Sequence, residues 1–376
     1  MDKINVLTVK YQGRLVGSMA TTPNNLCAFE YSKEWLAEGF SISPFSLPLR
    51  EGVFLPKIDP FDGLFGVFSD SLPDGWGRLL LDRLLLKNRI NPQQVSNLQR
   101  LAIVAASGMG ALTYEPGYHF DLADQNFDLD KIAGQCAQIL ESDTDDNESL
   151  DKLFLLGGSS GGARPKILTQ FDGQDWIIKF PSSEDEKDIG DQEYRYSLCA
   201  KECGIPIMET RLFPSATGMG YFGTSRFDRV MDKNGNKKRI HMVSVSGLLE
   251  TSHRIPNLDY NNLMRLTLEL TRDFSEVEKM YRLMCFNVFA HNRDDHSKNF
   301  SFLYDDEAGS WALSPAYDLT YSFSIGGQHA TSVDGNGQDP NLADVLRVVT
   351  IIGLNEARAK AIAQEIKGIV EAHGLG

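Results

Sequence analysis

The sequence predicts an α+β protein of two lobes, a β-rich N-terminal part followed by a mostly helical C-terminal part. Three patterns carry this. The opening MDKINVLTVKYQG alternates apolar and polar residues, as a half-buried strand does. The runs Ile167-Leu168-Thr169 and Trp176 to Phe180 flank the turn pair Asp172-Gly173, a hairpin signal. Beyond about Asn257, apolar residues instead recur every three or four positions, the helical period.

Ile4, Val6, Thr8 and Val9 begin the first β segment, and Leu15 to Met19 continue it after a turn at Gln12-Gly13. Pro73 to Lys87, PDGWGRLLLDRLLLK, reads as a helix with leucines at 79, 80, 84 and 85 and with Asp74 placed to cap it. A second helix is expected from about Val95 to Ala106, followed by the glycine-rich GMGALTYEP. Residues 141–150, ESDTDDNESL, read as a solvated acidic linker, because the glycine and final glutamate of a calcium-binding loop are missing. After the hairpin comes a helix from about Asp191 to Cys203, stopping before Gly204, and then a strand pair around Gly218 to Arg226. Ser275 and Glu278 form a capping-box pattern, and Val277, Met280, Met284 and Val288 form a core stripe behind it. The last helix starts near Asn355, buries Ile362, Ile366 and Val370, and ends before Gly374.

Charge narrows the function. The 376 residues carry 51 acidic against 37 basic side chains, a net charge of −14. Gripping nucleic acid over a broad face needs clustered cations, so that class is disfavoured. Five scattered cysteines make no disulfide framework. Cys199 and Cys203 share a helix face, but zinc needs two further ligands, so they read as buried thiols. No apolar leader opens the chain and no run reaches the ~18 apolar residues of a membrane helix. The expectation is a cytoplasmic protein without a membrane partner.

Four constellations carry chemistry. GGSSGGARPK, Gly157 to Lys166, brackets two serines with four glycines and ends on the cations Arg164 and Lys166. Missing side chains let backbone N–H groups approach phosphate oxygens. Ala163 stands where a Walker A loop needs lysine, which argues against a P-loop ATPase. Alone, the loop also fits a plain flexible turn. Lys179 is the one cation in the apolar strand WIIKF, where protein kinases keep a phosphate-holding lysine. Glu193 follows fourteen residues later on the next helix, the place of that lysine's carboxylate partner.

HNRDDHSKNFSF, His291 to Phe302, contains Arg293-Asp294, four residues, then Asn299. This spacing is that of a kinase catalytic loop, with Asp294 as the base for the attacking hydroxyl and Asn299 as a magnesium ligand. Lys298 is placed for a phosphate charge. Asp295 and His296 also suit a two-metal hydrolase, which would need further ligands elsewhere. Asp318, in LSPAYDLT, lies nineteen residues after Asn299, beyond a hairpin through Asp305 and Gly309. In a protein kinase an aspartate so placed is the second magnesium ligand, here with Leu319-Thr320 in place of the usual Phe-Gly; alone, it also fits a plain turn aspartate. The order of the parts matters more than any one of them: glycine loop, strand lysine, helix glutamate, R-D-x4-N and late aspartate occur in kinase sequence.

These blocks resemble the HipA family of bacterial kinases. GGSSGGARPK, RFDR (Arg226 to Arg229), DDHSKNFSF and LSPAYDL are similar to its signatures, and GVFSDSLPDGWGRLLLDR (Gly66 to Arg83) to the domain preceding its kinase core. The resemblance implies a two-lobed, protein-kinase-like fold and a serine/threonine kinase of a toxin–antitoxin pair. It implies ATP and Mg2+ as cofactors, and a protein substrate, an aminoacyl-tRNA synthetase, whose phosphorylation stops translation. It also implies a HipB-like helix-turn-helix antitoxin, with DNA met only through that partner. Residue by residue, Gly161, Gly162, Ala163, Arg164, Pro165, Lys166 and Lys179 would meet the ATP phosphates, and Ser225, Arg226 and Phe227 would form the adenine hinge. His296, Ser297, Lys298, Asn299, Tyr317 and Asp318 would complete the nucleotide and metal site. Autophosphorylation would fall on Ser159, with Ser160 as its neighbour, and inactivate the enzyme. The chain stops earlier than longer members of the family.

The corresponding division is 1–106 as the N-terminal domain, 107–150 as a connecting segment, 151–229 as the nucleotide-binding lobe and 230–376 as the catalytic lobe. Two rivals remain beside the kinase toxin: a catalytically weak corepressor acting through a DNA-binding antitoxin, and a kinase of small molecules.

Overall fold

The computed structural model describes residues 3–117, 128–141, 150–183, 185–232 and 235–375. Most of the acidic stretch, 142–149, lies outside the described residues. The chain divides into two compact units. The first takes Met1–Gly190, Arg211–Val243 and Gly247–Glu250; the second takes Asp191–Thr210, Ser244–Ser246 and Thr251–Gly376.

The first unit opens with the strands β1 (Val6–Tyr11), β2 (Arg14–Thr21), β3 (Cys27–Tyr31) and β4 (Val53–Phe54). β5 (Leu112–Glu115) returns beside β1 and completes a five-stranded antiparallel sheet in the order β4-β3-β2-β1-β5. Alternation along β1 buries Leu7, Val9 and Tyr11. Its turn uses Gln12 and Gly13, both at positive φ, as a tight hairpin requires. The same unit holds β6 (Lys166–Phe171), β7 (Gln174–Lys179), β8 (Thr210–Phe213) and β9 (Tyr221–Ser225), ordered β6-β7-β9-β8. The expected β6–β7 hairpin is present, with Asp172 and Gly173 both at positive φ.

One apolar cluster supports this second sheet. Ile167, Trp176, Ile178 and Phe180 pack with Trp76, Leu80, Leu81 and Leu85 from the helix Gly75–Lys87. Ile132, Cys136 and Ile139 of the helix Leu129–Glu141 join them. Each fully buried large aliphatic side chain contributes roughly 1.5–3 kcal/mol. The leucine-rich segment predicted as a helix is therefore what underlies the sheet carrying Lys179.

The second unit is built on the helices Tyr260–Thr271, Phe274–Phe289, Leu342–Ile352 and Glu356–Ala372. Val277, Met280, Met284 and Val288 are buried, as their spacing required. The capping differs from expectation. Asp273, not Ser275, is the N-cap, and its carboxylate accepts the Ser275 N–H at 2.7 Å. Glu278 instead pairs with Arg358. A carboxylate two residues nearer the start satisfies the orphan N–H, so the helix begins before the serine. This helical part also carries strands. Ser301–Asp305 pairs with Ser310–Leu313, and Gln328–Val333 lies between Leu258–Asp259 and Asn336–Gln338. All five cysteines are buried and free.

Candidate active site

The first group of expected residues lies in the first unit. The helix Leu150–Gly157 runs into the glycine-rich loop, and the loop runs into β6. Lys166 opens β6 directly opposite Lys179 at the end of β7. Directly opposed residues of an antiparallel pair share a face, so two lysines stand side by side at the base of the loop. Lys166 Nζ donates to the Gly161 carbonyl at 2.6 Å, and Lys179 Nζ lies 5.5 Å from the centre of the Phe222 ring. Arg164 Nε is 3.2 Å from the Asp185 carboxylate, and the Pro165 carbonyl accepts the Phe180 N–H at 2.8 Å. Ala163 is exposed. Cations and amides gathered this way suit an anion.

The loop is held by an unexpected partner. Asp74 occupies the N-cap position of its helix but makes no side-chain cap. Its carboxylate accepts the Gly162 N–H, and the Trp76 N–H donates back to the Gly162 carbonyl at 2.9 Å. The approach is so close that a Cβ on Gly75 would strike the Gly162 carbonyl, and one on Gly77 the Ser160 carbonyl. The PDGWG glycines are thus needed for loop contact as well as for a helix start. The two serines differ. Ser160 is buried and donates to the Gly157 carbonyl, whereas Ser159 is half-buried and donates to the Ser107 carbonyl at 3.0 Å.

Ser225 ends β9 opposite Trp176, and the Arg226 N–H donates to the Asp175 carbonyl at 2.8 Å. The Arg226 guanidinium is committed to Asp228 through Nε at 2.9 Å and Nη2 at 2.8 Å. Arg229 Nη1 and the Gly110 N–H meet the same carboxylate, both at 2.7 Å. Burial drives the Asp228 carboxyl up, but the Arg226 and Arg229 charges outweigh it and hold it below the usual range. The RFDR block is therefore an ion cluster at the strand end, with Phe227 between the two arginines. The sequence signal for it was the close alternation of charges at 226, 228 and 229.

The second group lies in the second unit. Glu193 is buried on the helix Ile189–Glu202. Asn299 Nδ2 donates to the Asp294 carbonyl at 2.7 Å, which leaves the amide oxygen as the side chain's remaining ligand atom. The Asp294 side chain is 62% exposed, with His296 Nε2 at 3.9 Å. His296 Nδ1 accepts the Lys298 N–H at 3.2 Å, and the Ser297 hydroxyl is buried without a partner among the described residues. The Tyr317 hydroxyl donates to the Lys298 carbonyl at 2.6 Å and meets Ser301 Oγ at 2.6 Å, which ties Tyr317-Asp318 to the loop. Asp318 takes a left-handed backbone (φ 53°), uncommon for a residue other than glycine and often found at functional positions. The R-D-x4-N loop and the late aspartate segment, nineteen residues apart, are thus brought together.

Sequence reading missed the support beneath this loop. Asp295 is buried, accepts bonds from Tyr260 Oη (2.8 Å) and the Thr331 N–H (3.1 Å), and is hydrogen-bonded to His329 Nδ1 (3.0 Å). Its commitment to these groups explains why Asp295 and His296 are not a matched pair of ligands. The available signal was QHATSV, whose alternation buries His329, Thr331 and Val333 on one face.

The α+β architecture, with a β-rich part before a helical part, is of the two-lobed protein-kinase-like kind. Residues 158–373 match the HipA-like C-terminal domain, more than half of the chain, and residues 7–115 match the HipA N-terminal domain. The chain belongs to the HipA family and is a HipA-like kinase. HipA in the Shewanella oneidensis toxin–antitoxin complex of HipA, HipB and operator DNA has the same fold, with a TM-score of 0.73 and 18% identity over 98% of this chain and 90% of that one. Two Sinorhizobium fredii proteins, Y4mE and Y4dM, both provisionally named kinases, are 28% and 24% identical over 84% and 85% of this chain, and 77% and 78% of their own lengths.

Proposed function

We propose that the protein transfers the γ-phosphoryl of ATP to a serine or threonine of a protein, with Asp294 as the base. The observation that carries this reading is the hydrogen bond from Asn299 Nδ2 to the Asp294 backbone carbonyl, which ties an amide oxygen suited to magnesium to the residue whose exposed carboxylate would act as the base. Asp294 would accept the hydroxyl proton as the oxygen attacks; Asn299 and Asp318 would hold Mg2+, which neutralises developing charge on the phosphates. Gly161 to Lys166 and Lys179 would bind phosphate oxygens, with Glu193 as the supporting carboxylate. The backbone of Ser225 to Phe227 would read the adenine, because the Arg226 side chain is taken by Asp228. His296 to Lys298 and Tyr317 would complete the pocket.

The target would be an aminoacyl-tRNA synthetase in the cytoplasm, and the controlling partner a HipB-like antitoxin that brings operator DNA. The Shewanella complex supports the partner by analogy. Among the described residues no helix is long and apolar enough to cross a membrane. Of the two loop serines, the more accessible Ser159 is the candidate autophosphorylation site. The test is phosphoryl transfer by Asp294→Asn to a panel of synthetases. Loss of turnover by roughly 10²–10⁴-fold is expected, the usual worth of a general base. A folded variant with wild-type turnover would overturn the assignment.

A further inference from the structure

Asp294 stands between two residues whose groups are pinned. The Arg293 carbonyl accepts the Ala330 N–H at 3.1 Å, and the Asp295 carbonyl accepts the Thr331 hydroxyl. The Asp294 carbonyl itself is taken by Asn299. Three successive carbonyls are thereby fixed, two of them by the strand Gln328–Val333. The Asp295 side chain completes the attachment, and it is fully buried while that of Asp294 is 62% exposed.

The direction of the bonds identifies what this position requires. Asn292 Nδ2 donates to Asn287 Oδ1, and Asn287 Nδ2 donates to the Tyr260 oxygen, both at 2.9 Å. Tyr260 must then donate onward to Asp295. Burial, reinforced by the Asp295 charge, pushes the Tyr260 hydroxyl well above its ordinary pKa, so it keeps its proton. The Thr331 N–H is also a donor. Tyr260 Oη and the Thr331 N–H are thus two donors to the Asp295 side chain, and the His329 ring nitrogen lies 3.0 Å from the oxygen that Tyr260 meets. A carboxylate only accepts, so beside it His329 presents Nδ1–H.

We propose that Asp295 and His329 are positioning residues: through the His329 Nδ1–H bond they clamp residues 293–295 to the strand and hold the Asp294 carboxylate for proton acceptance. This rests on Asp294 being the base. A loop displaced by about an ångström leaves nucleotide binding in place but ruins the angle of attack, and such misplacement can cost on the order of 100-fold in rate.

His329 allows a discriminating test. An asparagine there can set its Nδ2–H near the site of Nδ1–H, whereas glutamine carries its amide one carbon further out. Glutamine is the larger residue, so a mere space-filling role would rank His329→Gln above His329→Asn. The clamp ranks them the other way. Turnover number and KM for ATP would be measured for both variants and for His329→Ala, with amide hydrogen exchange over 293–299 as a readout independent of activity. The expected result is a turnover loss of about 100-fold in His329→Ala and His329→Gln. Both should show a nearly unchanged KM and faster exchange, and His329→Asn should be restored on both readouts. Turnover and exchange that follow side-chain size, or that leave His329→Ala like wild type, would overturn the proposal. Failure of the base reading has a separate signature: wild-type turnover in Asp294→Asn, whatever the exchange at 293–299.

Discussion

The catalytic loop and the glycine-rich loop are held in opposite ways. Residues 293–299 rest on buried side chains, with Asp295, His329, Tyr260 and Asn287 forming a hydrogen-bonded polar core beneath the exposed Asp294. Residues 157–166 are held mainly through their own backbone: Gly162 donates to Asp74 and accepts from Trp76, and the Gly161 carbonyl accepts from Lys166. A buried network has few alternatives, because breaking it strands polar groups away from water. Surface backbone bonds can exchange for water or a ligand at little cost. The difference suits the proposed roles, a base that would have to stay in place and a loop that would bind and release phosphate.

The largest expected change in stability lies beside the glycine-rich loop's sheet. Asp228 serves Arg226, Arg229 and the Gly110 N–H from full burial. Asp228→Ala strands the buried Arg226 guanidinium and takes a partner from half-buried Arg229, and should cost about 3–5 kcal/mol in denaturant unfolding. Because the carboxyl is held below its ordinary pKa, its contribution is present above about pH 4 and is lost as pH falls through the lower folded value. Wild-type stability should therefore drop in that acidic window, and Asp228→Asn should flatten this part of the profile. An unchanged profile would show the cluster to be uncoupled from folding.

Tyr260→Phe probes the catalytic loop's foundation more gently. It removes one donor to Asp295 and strands Asn287 Nδ2, which should cost about 1–3 kcal/mol and raise amide exchange at 293–295. No loss of stability and no faster exchange would mean that the network is slack. Asp74→Ala should have the smallest effect on folding, below about 1 kcal/mol, since its carboxylate makes no side-chain cap for its own helix. Yet the Gly162 amide should exchange faster. A large drop in Tm with no change at Gly162 would reverse the contrast between the two loops.

What the sequence disclosed and what it hid follow from distance along the chain. R-D-x4-N is a seven-residue pattern, Arg293 to Asn299, so Asp294 and Asn299 were legible together. The Asp172-Gly173 and Gln12-Gly13 turns were legible because tight hairpins demand positive φ at those residues. Asp74 with Gly162 spans 88 positions and Asp295 with His329 spans 34, and neither bond leaves a local period. Asp74 even looked like a helix cap, the nearest use for its oxygen. The Ser275–Glu278 pattern misled for a related reason: Asp273 offered a better acceptor two residues earlier. The stretch called mostly helical hid Gln328–Val333, a strand of only six residues that supports the catalytic loop.

The account is tested most directly by mapping phosphate on the protein after incubation with Mg-ATP. The expected result is one phosphoryl on Ser159, none on buried Ser160, and none in folded Asp294→Asn. A wild-type chain that transfers phosphate to no serine or threonine, its own or a partner's, would contradict it, as would equal labelling of wild type and Asp294→Asn.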